Sequence, residues 1–122
     1  MSNHEKINYL EFPARDLEKT KTFFSDVFDW SFQDYGSEYT AFSNAGIEGG
    51  FFKSDLCAAT KNGSVLIVFY SEQLEKTQIK IEQAGGEITK PIFSFPGGQR
   101  FHFSDPSNNE YAVWSDKTKC SF

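Results

Sequence analysis

The chain has 122 residues, 39% of them apolar, and a formal net charge of −5 at pH 7. This composition is sufficient for one folded core, but no apolar run approaches the roughly 20 residues that span a bilayer. We expect neither nucleic acid nor an anionic membrane as a partner, because phosphate contacts need clustered Lys or Arg and the sequence has no basic cluster.

The first half of the chain predicts a strand, a helix and three more strands. The run INYLEF alternates, which places Leu10 and Phe12 on one face of a half-buried strand and Tyr9 and Glu11 on the other. Asp16 is a candidate N-cap for a helix over LEKTKTFFSDVFDW. Turn residues then separate WSFQDY, YTAFSN and GIEGGFF, a pattern that predicts a strand meander.

The second half repeats this order of elements. SVLIVFY is nearly all apolar and predicts a largely buried strand. Ser71 is a candidate cap for a helix over EQLEKTQIKIEQA, which Gly85 and Gly86 should end because glycine accepts the left-handed conformation. Three more strands are predicted over GEITKPIF, GQRFHFS and NEYAVWS, with turns at FPGG and DPSNN.

The tetrapeptide LEKT occurs in both predicted helices, with an offset of 57 residues between Leu17 and Leu74. The same offset aligns LEF of the first strand with IVF of the fifth in the same phase, which indicates a duplication. We therefore predict an α+β fold in which two βαβββ modules form a curved mixed sheet around a cleft. A single domain over 1–122 would contain the modules at about 5–54 and 63–116.

Three stretches resemble the vicinal oxygen chelate superfamily, the glyoxalase/bleomycin resistance protein/dioxygenase group: FPARDLEKTKTFFSDVFDW, IEQAGGEITKP and FHFSDPSNNEYAVW. Phe23-Phe24 stands for the family's FY pair and Phe28-Asp29-Trp30 for its GW ending, while Asn108 replaces the usual glycine of its closing DPdGN turn. The chain most resembles the short type described as a predicted enzyme related to lactoylglutathione lyase. This resemblance implies paired modules and usually a homodimer.

The resemblance also implies, in many members, a divalent ion that chelates two neighbouring substrate oxygens. The ligand positions on the first, fifth and last strands match Tyr9, Leu66 and Ala112, and a fourth lies in or near GIEGGFF. Leu66 and Ala112 have no donor atom, whereas such a site needs three or four converging N or O ligands. We therefore predict no metal site and no cofactor.

Aromatic residues make up 17% of the chain and include 14 Phe, so some of them could form flat walls for a small organic ligand. The expected ligand-binding residues are Tyr9, Glu11, Phe51, Leu66, Val68, Ala112 and Trp114.

Three of the candidate residues could act in catalysis. Glu11 is either a general base with a raised pKa in a partly aromatic pocket or a rim carboxylate paired with a Lys or Arg, for instance Arg100. Tyr9 either hydrogen-bonds a ligand or only forms a wall. Trp114 either stacks on a ligand, fills the core or forms a dimer contact. His102, the only histidine in a predicted strand, either orients a substrate or has a structural role.

Two functions remain as the main alternatives. The first is a binding protein for a small organic ligand, which the missing metal ligands favour. The second is a metal-independent or degenerate lyase-type or isomerase-type enzyme with Glu11 as base and with Tyr9 and His102 orienting a carbonyl substrate. A subunit whose cleft serves only a partner contact is a third. We expect a cytoplasmic homodimer in which Cys57 and Cys120 are ordinary thiols, with a disulfide as the alternative.

Overall fold

A computed structural model describes residues 3–117, so Cys120 lies outside the described residues. Each half contains a strand, a helix and three strands, which confirms the α+β class and the two βαβββ modules. The first module contains β1 (Tyr9–Ala14), α1 (Leu17–Phe28), β2 (Ser31–Asp34), β3 (Tyr39–Ser43) and β4 (Glu48–Lys53). The second contains β5 (Ile67–Tyr70), α2 (Leu74–Gln83), β6 (Glu87–Phe95), β7 (Gly98–Ser104) and β8 (Glu110–Ser115). Neither helix is long and apolar enough to cross a bilayer.

Each module forms its own four-stranded mixed sheet. The strand order is β1-β4-β3-β2 in the first sheet and β5-β8-β7-β6 in the second. In both sheets the module's first strand is parallel to its last strand, and the other neighbours are antiparallel. The equal strand orders agree with the predicted duplication. The exact module boundaries, 5–54 and 63–116, stay a prediction.

One face of each sheet packs into an aromatic core that the two modules share. The Phe12 ring lies 5.8 Å from the Tyr111 ring, which joins the two sheets directly. Phe24 of α1 lies 5.6 Å from Phe51 and 5.5 Å from Tyr111, so the first helix contacts both sheets through one ring. Such offset and edge-to-face contacts add to the free energy gained by burying the rings.

The strand β5 is shorter and less buried than its apolar sequence predicted. It begins at Ile67, and its side chains alternate: Ile67 and Phe69 pack against the core, while Val68 and Tyr70 are 44% and 48% exposed. The prediction of a largely buried strand is therefore wrong. β5 lies at the edge of a sheet that has one open face, so apolar residues occupy both faces without both being covered.

The two helix starts differ, although both begin with LEKT. Asp16 caps α1 as predicted, because its carboxylate accepts a hydrogen bond from the backbone N of Lys19 at 3.0 Å. The N-cap of α2 is Gln73, which makes no side-chain cap bond, so the prediction of a Ser71 cap is wrong. The Ser71 Oγ instead accepts from the backbone N of Gln73 at 3.0 Å, in the turn before the helix. Gly85 follows α2 with φ +97°, as expected of a glycine stop.

Asp105, in the turn between β7 and β8, is the centre of a buried polar cluster. Its carboxylate accepts hydrogen bonds from the backbone N atoms of Ser107 and Asn109 at 2.8 and 3.1 Å. It also accepts from the Tyr111 hydroxyl at 2.8 Å and from the Asn109 side-chain amide at 3.4 Å. Asp105 is only 3% exposed, so these donors replace the water that the carboxylate loses on folding.

The same turn holds the first module to the second. The Asn109 amide donates to the carbonyl of Pro13 at 2.6 Å, and its oxygen accepts from the backbone N of Ala58 at 2.7 Å. The Ser107 hydroxyl oxygen accepts from the backbone N of Arg15 at 3.0 Å and lies 2.8 Å from the Thr20 hydroxyl. The end of β1 and the start of α1 are therefore fixed by side chains of the opposite module.

Candidate functional site

Each sheet has one face that turns away from the shared core. We call the side chains of Tyr9, Glu11, Tyr39 and Phe52 the first open face, since cross-strand register places them on the same side of the first sheet. The second open face comprises Val68, Tyr70, Phe93, Arg100, His102, Ala112 and Trp114. The predicted site residues are therefore divided between two sheets. Val68, Ala112 and His102 form one continuous cross-strand row.

A hydrogen-bonded chain of two tyrosines and a glutamate lies on the first open face. The Tyr9 and Tyr39 hydroxyls are 2.7 Å apart, and Tyr39 donates to Glu11 Oε2 at 3.0 Å. Burial, together with these two bonds, raises the pKa of Tyr39 well above its ordinary value, so its hydroxyl stays protonated and acts as the donor. Tyr39 is a residue that the sequence analysis missed.

Gly50 allows Tyr39 to reach Glu11. Gly50 lies on β4 between its cross-strand partners, Glu11 of β1 and Ala41 of β3. A side chain at this position would therefore lie between β1 and β3 on the first open face. A Cβ at Gly50 would overlap the hydroxyl oxygen and ring of Tyr39. A glycine inside a strand often permits such a close approach, and this was the signal in GIEGGFF that could have indicated the contact.

Glu11 also lines a cavity of about 600 Å³ between β1 and the segment before β5. Its other walls are mainly aliphatic, with Leu56 and Val65 exposed at the rim and Phe52 as one aromatic neighbour. Glu11 itself is exposed, so it is not enclosed by aromatic side chains as the general-base interpretation assumed. Its predicted pairing with Arg100 is wrong, because Arg100 lies on the second open face and contacts His102.

Leu66 and Val68 line a second, neighbouring cavity of about 560 Å³. Trp30, Phe42 and Tyr70 contribute aromatic surface to it. Leu10, Phe12 and Ile67 contribute to both cavities, so the two lie along the same junction between β1 and β5. The aromatic wall expected from the composition therefore belongs to this second cavity, and Glu11 belongs to the first.

Two of the predicted ligand-binding residues have no exposed surface. Phe51 is 0% exposed and its ring stacks 5.4 Å from that of Phe12, so it belongs to the core. Its neighbour Phe52 takes the open face because adjacent strand residues point in opposite directions. Ala112 is on the second open face by register, but it is also 0% exposed. Both assignments as ligand contacts are corrected by this burial.

Arg100 and His102 form the centre of a second hydrogen-bonded chain, on the second open face. Arg100 Nη2 lies 2.9 Å from His102 Nε2, and His102 Nδ1 lies 3.3 Å from Glu110 Oε2. Burial lowers the pKa of His102, which favours a neutral ring that accepts from Arg100 and donates to Glu110. Partial burial raises the pKa of Glu110, but hydrogen bonds from Thr60 and His102 outweigh it and hold this pKa below its ordinary value.

The donor atoms at the expected metal positions do not fit a divalent ion. Leu66 and Ala112 supply no donor, and the Tyr9 hydroxyl is engaged with Tyr39. Gly50, within the stretch expected to hold the fourth ligand, has no side chain. Across residues 3–117, no group of three or more His, Cys, Asp or Glu side chains is arranged to hold a metal ion. Three or four such ligands are the usual requirement.

We expect calorimetric titration of the purified protein with Mn²⁺, Ni²⁺ or Zn²⁺ to give no stoichiometric binding, because the donor set lacks the converging ligands that these ions need. Elemental analysis of the protein as purified provides an independent measurement. One equivalent of tightly bound ion that Tyr9→Phe or Glu11→Gln weakens would contradict the expectation.

Comparison with known proteins agrees with the observed fold. The sequence profile of the Glyoxalase/Bleomycin resistance protein/Dioxygenase superfamily matches residues 6–113. No curated protein sequence matches the chain. Among solved structures, a lactoylglutathione lyase from Agrobacterium tumefaciens is 18% identical, with a TM-score of 0.68 over 95% of this chain and 97% of that chain. A glyoxalase-related enzyme from Fulvimarina pelagi is 13% identical, with a TM-score of 0.76 over 91% and 88%.

A fosfomycin resistance protein, FosX from Listeria monocytogenes, is also similar. Its E126Q mutant was solved in complex with Mn(II) and 1S,2S-dihydroxypropylphosphonic acid. That structure is 19% identical to this chain, with a TM-score of 0.75, and the match covers 94% of this chain and 91% of the other. At these identities the solved structures establish a common fold, and the chemistry of each relative remains its own.

Proposed function

Because the chain belongs to the glyoxalase/bleomycin resistance protein/dioxygenase superfamily, we propose that it binds a small organic ligand beside Glu11 without using a metal ion. One observation carries this proposal: Glu11, bonded to Tyr39, lines a cavity of about 600 Å³ with mainly apolar walls. Cavities of a few hundred Å³ with apolar walls and few polar groups are typical small-molecule sites.

The polar group in this cavity favours a ligand that donates hydrogen bonds. Glu11 Oε2 accepts from Tyr39, whereas its Oε1 has no partner within residues 3–117. A ligand ammonium or amide N–H would satisfy this oxygen, and the net charge of −5 adds a weak general attraction for cations. The apolar part of the ligand would cover Phe52, Leu56 and Val65, whose exposure supports an interaction surface.

A proton-transfer enzyme with Glu11 as base is the second candidate function. The Tyr39 hydroxyl supports this alternative, because it stays protonated next to the carboxylate and could donate to a substrate carbonyl. His102 takes no part in this version, because it lies on the other sheet and bonds to Arg100 and Glu110. The exposure of Glu11 favours the binding function over this alternative.

A homodimer is part of the same proposal. Ile7, Leu56 and Val65 are 81%, 71% and 80% exposed and surround the cavity beside Glu11, so a second copy seated on them would close it. Light scattering coupled to gel filtration measures the mass directly. A monomer at micromolar concentration would contradict the dimer while leaving the ligand proposal intact. A cytoplasmic location remains a prediction from the sequence.

A thermal-shift panel of metabolites and antibiotics tests the binding function. We expect the Tm to rise in a concentration-dependent way with compounds that combine an ammonium or amide group with an apolar body. Glu11→Gln should reduce the shift, since it removes the charge that attracts the ligand cation, and Tyr39→Phe should reduce it by releasing Glu11.

Tyr35→Phe is the matched control for Tyr39→Phe, because Tyr35 is a 64% exposed tyrosine outside the hydrogen-bonded chain. It should leave every shift unchanged. The binding proposal fails if the compounds stabilise Glu11→Gln as strongly as the wild-type protein. If a substrate is found and Glu11→Gln turns it over at the wild-type rate, the general-base alternative fails as well.

A further inference from the structure

Among residues 3–117, Arg100 on the second open face carries a positive charge that has no ion-pair partner. Arg100 is partly buried in β7, and it forms no ion pair with any residue from 3 to 117. Its Nη2 lies 2.9 Å from His102, but its Nε is buried and has no acceptor in that part of the chain. Withdrawing a guanidinium from water without an anionic partner costs free energy. An anionic ligand would offset this cost.

A chain of three residues holds the Arg100 side chain in position. His102 accepts from Arg100 Nη2 and is itself oriented by Glu110 Oε2 at 3.3 Å. The other oxygen of Glu110 accepts from the backbone N and the hydroxyl of Thr60, both at 2.8 Å. Glu110 is thus engaged with His102 and Thr60 and forms no ion pair with Arg100. A cation fixed in this way is preorganised for a ligand, because little side-chain freedom is lost on binding.

Aromatic rings surround the guanidinium on the same face. The Arg100 Cζ lies 5.8 Å from the centroid of the Phe93 ring and 6.0 Å from that of Phe95. Trp114 is the cross-strand neighbour of Arg100 on β8, and its ring lies 6.2 Å from that of Phe95 and 5.2 Å from that of Tyr70. Flat aromatic rings therefore flank the N–H donors of the Arg100 guanidinium. This combination suits a planar molecule with an oxyanion at one end.

We propose that Arg100 binds the carboxylate of a small aromatic acid whose ring packs against Trp114 and Phe95. A positive charge with no ion-pair partner among residues 3–117 matches one carboxylate, and the planar N–H donors of the guanidinium match its two oxygens. Lys90, which lies opposite His102 across the β6–β7 ladder, adds positive potential at the same face. This site goes beyond the proposed function, since it lies on the other sheet and does not involve Glu11.

The first test compares benzoate with benzamide on the wild-type protein. The two probes have the same ring and nearly the same shape, but only benzoate carries the charge that Arg100 would bind. Tryptophan fluorescence follows the titration, since Trp114 is partly exposed, and calorimetry measures the affinity independently. We expect benzoate to saturate in the millimolar range and to bind at least about tenfold more tightly than benzamide. Equal affinities for the two probes, or no saturation by benzoate, would overturn the proposal.

The second test asks whether Arg100 is the residue that binds the carboxylate. Arg100→Met keeps an elongated apolar side chain and removes the charge, so benzoate affinity should fall at least about tenfold. Arg100→Lys keeps the charge without the planar fork and should give an intermediate affinity. Arg15→Met removes an exposed arginine from the first module and is the matched control, so it should bind benzoate like the wild-type protein. Unchanged benzoate affinity in a folded Arg100→Met protein would overturn the assignment, as would an equal loss in Arg15→Met.

Discussion

Asp105→Ala should lower the free energy of unfolding by about 3–5 kcal/mol, because it leaves several buried donors without an acceptor. The carboxylate accepts from the backbone N atoms of Ser107 and Asn109, from the Asn109 amide and from the Tyr111 hydroxyl. Tyr111 is 0% exposed, so water does not replace the lost acceptor. Urea unfolding followed by circular dichroism measures the change.

Two variants serve as controls for Asp105→Ala. Asp105→Asn keeps one acceptor oxygen and should cost less than the alanine variant. Asp26→Ala removes an exposed carboxylate from α1 and should change the free energy of unfolding by no more than about 0.5 kcal/mol. If Asp105→Ala and Asp26→Ala unfolded at the same urea concentration, the proposed structural role of the cluster would be wrong.

The pH dependence of unfolding provides a second measurement on Asp105. Burial raises the pKa of Asp105 to about 6, against the hydrogen bonds from Tyr111, Asn109 and Ser107. A folded pKa above the ordinary value of 3.8 means that folding favours the protonated form. The contribution of this group to stability is therefore complete below pH 3.8 and is lost as the pH rises to about 6. Any advantage of the wild-type protein over Asp105→Asn, which does not titrate here, should shrink across that interval.

Phe51→Ala should destabilise the fold by about 3–5 kcal/mol, the usual cost of removing a buried phenylalanine ring. Phe51 packs against Phe12, Phe24 and Phe42 with ring centroids 5.4, 5.6 and 5.6 Å away, so the cavity left behind has rigid walls. Thermal or urea unfolding measures the loss.

Phe52→Ala is the matched control, because it removes the same ring from the next residue on the opposite face. Phe52 is 37% exposed, so we expect a cost of about 1 kcal/mol or less. This pair of variants tests the assignment of Phe51 to the core and Phe52 to the open face. A larger loss for Phe52→Ala than for Phe51→Ala would reverse that assignment.

Much of the fold could be predicted from the sequence, because local patterns determine it. The alternation in INYLEF correctly separated Leu10 and Phe12 from Tyr9 and Glu11, and Asp16 caps α1 as its position indicated. The LEKT offset indicated two equivalent modules, which the equal strand orders bear out. Periodicity and capping are properties of neighbouring residues, so they can be read without knowing the tertiary structure.

The candidate sites were harder to predict, because they depend on contacts between distant strands. Tyr39 reaches Glu11 only across Gly50, and no local pattern in the β3 sequence indicates that contact. Arg100 was expected near Glu11, whereas the sheet register places it beside His102 and Trp114. Both errors concern which strands become neighbours, a choice that is made by the packing of whole modules.

The side-chain bonds from the β7–β8 turn give the two halves of the molecule different mechanical roles. The start of α1 is held by Ser107 from the other module, whereas the segment before α2 is bonded within its own module, with the Ser71 backbone N donating to the Trp114 carbonyl at 2.9 Å. Releasing the start of the first helix therefore requires bonds between the two halves to break, whereas the segment before the second helix is held by bonds within one half. A nearly symmetric chain thus anchors its two helices differently, α1 through the opposite module and α2 through its own.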